Sequence, residues 1–88
     1  MRITQATPLH WAAMDGRVEA IERLVAAGAS TKSKDDEEMT PLHYAARQGQ
    51  VAAIETLVAA GASPHAQAHD NATPLHLAAA SMPGWGSN

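Results

Sequence analysis

Apolar and polar positions alternate along this chain with a helical period, in short stretches cut off by glycine. Val18, Ile21, Leu24 and Val25 recur at the spacing that lines one face of a helix, while Glu19, Glu22 and Arg23 fall on the other. Glu19 and Arg23 also stand four residues apart in the favourable order for an ion pair. Upstream, Thr7-Pro8 marks a helix start, with Thr as the cap and Pro at the first helical position, where its missing N–H costs nothing. His10 then falls at the third helical position, within reach of the cap, where it can replace the acidic member of a capping box. Gly16 stops this helix and Gly28 the next, and the residues that follow, 31–39, are largely polar. The pattern predicts a helix–turn–helix–loop unit.

That unit repeats. Thr7-Pro8-Leu9-His10 returns as Thr40-Pro41-Leu42-His43 and as Thr73-Pro74-Leu75-His76, at offsets of 33 and 33. Residues 7–30 laid over 40–63 agree at 18 of 24 positions. The second unit carries Gly49, then Val51, Ile54, Leu57 and Val58, then Gly61 and a second loop over 64–72. The third breaks off: Met82 stands where the turn glycine belongs, and Pro83 ends the helix. The reading is one domain over 1–88, with repeats at about 7–39 and 40–72 and an incomplete third at about 73–88.

Composition narrows the packing. Alanine supplies 20 of the 40 apolar residues, Leu, Ile and Val together 13, and Phe none. A Phe-rich sandwich or barrel core is excluded, and short helices packed closely through alanine are favoured. There is no Cys, so neither a disulfide framework nor a thiolate metal site exists. A net charge of −3 leaves no basic footprint for nucleic acid. No apolar run approaches the ~20 residues that cross a bilayer, and the first residues lack the apolar core of a signal peptide, so the expected setting is cytoplasmic with no membrane partner.

The period and the motif together resemble the ankyrin repeat, whose signature is Thr-Pro-Leu-His-x-Ala every 33 residues, here ending in Trp11-Ala12, Tyr44-Ala45 and Leu77-Ala78. The resemblance covers residues 7–79. It implies an all-α solenoid of stacked helix–turn–helix units with hairpin loops projecting from one edge. Ala12, Ala13, Ala45, Ala46, Ala78 and Ala79 would then let neighbouring first helices approach closely. Family hairpins commonly place Gly two residues before the Thr-Pro, where this chain has Glu38 and Asn71. Asn tolerates a left-handed turn and Glu does so poorly, so a strained or reshaped loop is expected at Glu38. Only six residues precede the first Thr-Pro, which leaves room for a partial hairpin.

Ankyrin proteins bind partners with their hairpin tips and the open face of the first helices. Carried over position by position, the resemblance implies contacts from Met14, Asp15, Arg47, Gln48, Ala80 and Ser81 at the helix ends, and from Asp36, Glu37, Met39, His69, Asp70 and Ala72 in the hairpins. These positions vary between units while the framework hardly changes.

Chemistry is weakly represented. His10, His43 and His76 occupy one repeat position, and helices packed about 8–10 Å apart cannot bring them to the roughly 2 Å that a metal demands. They are expected to be structural. His65 and His69 stand four residues apart beside Asp70, but Pro64 and Asn71 put them in a loop. Serines fall in loops or at helix ends without a base and orienting group beside them, and no phosphate-binding loop is present, so neither catalysis nor a cofactor is expected. The run Asp35-Asp36-Glu37-Glu38 reads either as a solvated tip partly neutralised by Lys32 and Lys34, or as a charged finger that steers a basic partner. Trp11 and Tyr44 are expected to belong to the packing between repeats. Two functions remain open: a non-catalytic module binding a protein partner in its groove, or a fragment of a longer array or self-associating stack, a homo-oligomer formed through the incomplete last unit or its Trp85.

Overall fold

The computed structural model describes residues 5–81, with side chains through 80. Five helices lie among them: α1 (Pro8–Met14), α2 (Val18–Ala26), α3 (Pro41–Arg47), α4 (Val51–Ala59) and α5 (Pro74–Ser81). The described residues contain no strand. Helices α1, α3 and α5 stack in one layer and α2 and α4 in a second, each pair α1/α2 and α3/α4 folding back through a tight turn. The predicted helix end at Met82-Pro83 and the residue Trp85 lie outside the described residues.

The first-layer helices start as their sequence dictates. Thr7 and Thr40 adopt extended backbone at the cap, accept the N–H of the third helical residue, and meet a Pro at the first helical position. Alanine then sets the packing distance. Ala13, Ala45 and Ala46 are completely or almost completely buried where α1, α3 and α5 stack, whereas Ala79 on the outer side of α5 is exposed. Leu9, Leu42, Ile21 and Leu57 fill the space between the layers, with Ala53 and Ala62 beside them. Truncating one of these leucines to alanine should cost about 2–5 kcal/mol, a large share of the total stability of so short a chain.

The hairpin corners share one conformation across the repeat. Gln5, Glu38 and Asn71 stand 33 residues apart and have φ of 62°, 63° and 66°. The backbone therefore imposes the left-handed turn on Glu38 instead of reshaping the loop. The cost falls on the residue least suited to it, since an L side chain other than Asn or Asp crowds its own carbonyl there.

Trp11 corrects an expectation. Tyr44 is 6% exposed and Trp11 45%, although the two hold the same repeat position. Tyr44 has α1 against it, with its ring edge-on to His10 at 4.8 Å and to Trp11 at 6.0 Å. Trp11 has no described helix on its other side.

Candidate functional site

Two of the three repeat histidines, His10 and His43, tie one unit to the next. The Thr7 N–H donates to His10 Nδ1 (3.0 Å), so that nitrogen carries the lone pair. The opposite nitrogen, Nε2, then holds the hydrogen and donates it to the Met39 carbonyl at 2.7 Å. His43 repeats the arrangement, taking the Thr40 N–H at 3.0 Å and donating to the Ala72 carbonyl at 2.9 Å. Both residues are fully buried, and burial holds their pKa below the ordinary 6.5 even though the carbonyls they meet favour the charged form. His76 makes the same bonds to Thr73 but is exposed. Among the described residues no group of three metal-ligating side chains comes together.

The acidic run divides into two kinds of residue, which corrects its reading as a uniformly solvated tip. Asp35 is only 7% exposed. Its Oδ1 accepts the N–H groups of Glu37 and Met39, both at 2.9 Å, and its Oδ2 accepts the Tyr44 hydroxyl. Burial alone would raise this carboxyl, but the three donors outweigh it and hold its pKa below 3.8. The same contact acts in reverse on Tyr44, whose hydroxyl is pushed above its ordinary 10 by burial and by the bond to Asp35. Asp35 is thus the organiser of its hairpin, while Glu37 and Glu38 are exposed and Asp36 is half-buried. In the next hairpin the equivalent position is Ala68, and Asp70 Oδ1 accepts the Ala72 N–H at 3.1 Å instead. The two hairpins are joined backbone to backbone, His69 N–H to the Glu37 carbonyl at 2.9 Å.

A cleft of about 420 Å3 opens between these hairpins and the helices α3 and α5. Asp36, Glu37, Met39, Arg47, His69, Asp70 and Ala72 all line it, seven of the twelve positions that the resemblance implies, together with Ala68 and Leu77. Met39 contributes mostly from below, since it is buried against Tyr44 and Ala68, and its carbonyl is taken by His10. Arg47 is exposed and holds its guanidinium carbon 5.4 Å from the centre of the Tyr44 ring. Met14, Asp15 and Gln48 line a separate shallow depression with Arg17 and Gln50, where the Gln50 side-chain amide donates to the Met14 carbonyl at 3.0 Å. Ala80 is exposed on α5 and lines neither, and the Ser81 side chain lies outside the described residues. Leu77 and Ala68 were missed by position-wise transfer, because only their packing under the rim brings them to the cleft.

Repeated helix pairs, ties from the starts of α1 and α3 to the next hairpin and an open cleft with no metal-ligating cluster among the described residues define a repeat scaffold. The chain belongs to the ankyrin-repeat family: the family model for ankyrin repeats (three copies) matches residues 2–68. That match stops short of the third Thr-Pro-Leu-His and α5. No curated protein matches the chain. Ankyrin repeats are generally protein–protein interaction modules and typically have no enzymatic activity. No helix among the described residues is long and apolar enough to cross a membrane.

Proposed function

We propose that this chain is a non-catalytic module, one domain of two full repeats and a partial third, that holds a protein partner in the cleft between its hairpin tips. The observation that carries the reading is the convergence of Asp36, Glu37, Arg47, His69 and Asp70 around an apolar floor of Met39, Ala72 and Leu77. Polar groups around a desolvated centre are the usual anatomy of a protein interface. The exposed carboxylates of Glu37 and Asp70, with Asp36 beside them, suit a partner with a basic face, and they act mainly on the rate of encounter. A cytoplasmic setting without cofactor, nucleic acid or membrane accords with the composition.

The test is capture from cell extract with the native chain and with a variant carrying Asp36→Ala, Glu37→Ala and Arg47→Ala, all three on the cleft. Asp35 is left intact because it holds the hairpin. A protein retained by the native chain and lost by the variant, at unchanged helix content, supports the reading. Equal retention by both would remove the cleft from the interface.

A further inference from the structure

The two ends of this stack expose, in register, what its interior buries. At the trailing end Leu75 is 48% exposed, whereas Leu9 and Leu42 at the same position are each 1% exposed. His76 is exposed where His10 and His43 are buried. Beside Leu75 an apolar groove of about 150 Å3 runs between Ile54, Val58, Pro74 and Ala78. At the leading end Pro8 is exposed where Pro41 and Pro74 are buried, and Trp11 is exposed where Tyr44 is not.

The histidine ties show how such surfaces meet. His10 reaches the carbonyl 29 residues on, at Met39, and His43 does the same at Ala72. No carbonyl among the described residues takes the hydrogen of His76 Nε2. The residue equivalent to Met39 and Ala72 at the leading end is Ala6, and it follows Gln5, whose φ of 62° matches Glu38 and Asn71. The leading end therefore already carries a hairpin corner in the receiving conformation. A carbonyl in this register accepts twice: Met39 from Asp35 N–H and His10, Ala72 from Ala68 N–H and His43. Neither α1 nor α5 carries a charged residue, so apposing the two helices brings no like charges of theirs together.

We propose that this chain associates with a second copy of itself head to tail, α1 of the second copy packing on α5 of the first as α3 packs on α1. Leu75 is covered by the Pro8 and Trp11 side of the incoming helix, and His76 Nε2 donates to the Ala6 carbonyl of the second copy. The contact continues the interface that already joins successive units. Because the two surfaces differ, it is heterologous, and each copy keeps a free head or tail for the next.

Sedimentation velocity tests this over a wide range of concentration, using the native chain, a tail variant Leu75→Glu and a head variant Pro8→Glu. The native sedimentation coefficient should climb with concentration, and each variant alone should stay monomeric. An equimolar mixture of the two variants should form a dimer and nothing larger, since one supplies an intact head and the other an intact tail. If either variant loses helix content by circular dichroism, Ala79→Glu replaces the first and Trp11→Glu the second. A native chain that stays monomeric throughout overturns the proposal. So does a mixture that fails to pair, or loss of association through tail variants alone, which is the mark of tail-to-tail pairing.

Discussion

Tyr44 donates its phenolic hydrogen to the buried carboxylate of Asp35, joining the first turn of α3 to the corner of the hairpin before it. One period later the same two positions hold Leu77 and Ala68. The pair changes character together, from hydroxyl and carboxylate to two apolar groups, as it should if neither polar member is tolerable without the other.

Tyr44→Phe should therefore cost about 1.5–3 kcal/mol, the range for a hydrogen bond to a charged group. Asp35→Ala should cost more, because two backbone N–H groups lose their acceptor as well. The double change Asp35→Ala with Tyr44→Leu installs the pair found at 68 and 77, and it should be less destabilising than the two single changes summed. Urea titration of the native chain, Asp35→Ala, Tyr44→Leu and the double variant closes the cycle and gives the coupling directly. Strict additivity would show that the two positions are independent.

Acid should weaken the fold in two stages. His10 and His43 have folded pKa values below 6.5, so they are neutral in the fold and take up protons more readily when unfolded. Their contribution is complete above about pH 6.5 and drains away as pH falls from there through the lower folded values. Burial is the main reason, and the geometry acts in the same sense, because a second ring proton would sit on Nδ1, facing the Thr7 or Thr40 N–H. Asp35 adds a second loss that begins near pH 3.8, since its folded pKa is lowered too. Melting temperatures across this range should fall twice, and His43→Gln should flatten the first fall. A melting temperature constant from pH 7 to 5 would contradict the assigned tautomer.

Glu38→Gly should stabilise the chain. A left-handed backbone costs a non-glycine residue about 1–2 kcal/mol, and the extra freedom of glycine in the unfolded chain returns about 0.4–1 kcal/mol of that. A net gain of about 0.5–1 kcal/mol raises the melting temperature by a few degrees in a domain of this size. Asn71→Gly should gain less, because Asn already tolerates the conformation. Equal gains at both sites would mean that the side chain at 38 is not what suffers.

Gly16→Ala should do the reverse. Gly16 has φ of 71°, and an added Cβ would stand 2.5 Å from Gln50 Oε1. The methyl thus meets both backbone strain and a side chain that is tied to the Met14 carbonyl. A loss of about 1–2 kcal/mol is expected from the strain alone, visible as a lower urea midpoint. The same change at Gly28, which has φ of 106° and nothing within 4 Å, meets backbone strain with no steric clash.

The helix starts were legible because each depends on neighbours in sequence: Thr, Pro and His lie within four residues, and a 33-residue period repeats them. The left-handed corner at Glu38 was legible for the same reason, from its place two residues before Thr40. Asp35 was not. Four consecutive acids look alike as charges, and only the fold turns one carboxylate inward against Tyr44, nine residues away. Trp11 failed differently, since its burial depends on a neighbour that the repeat pattern supplies for Tyr44 and not for the first unit. The cleft itself could be anticipated as a set of positions, but the part played in it by Ala68 and Leu77 depends on two hairpins lying side by side.

The histidine ties each span 29 residues, and among the described residues no tie between units skips over a neighbour. Chains wired this locally have low contact order and close only short loops as they form. Folding in such an array starts where local structure is strongest and spreads to adjacent units. Here that place is the middle, where α3 packs against both α1 and α5. Growth then runs outward, and unfolding begins at α5, whose histidine holds its own cap but no carbonyl of another unit among the described residues. Among the described helices, amide exchange should therefore be slowest in α3 and fastest in α5, so this stack would open from its α5 side like a zip whose outer tooth lacks the catch of the others.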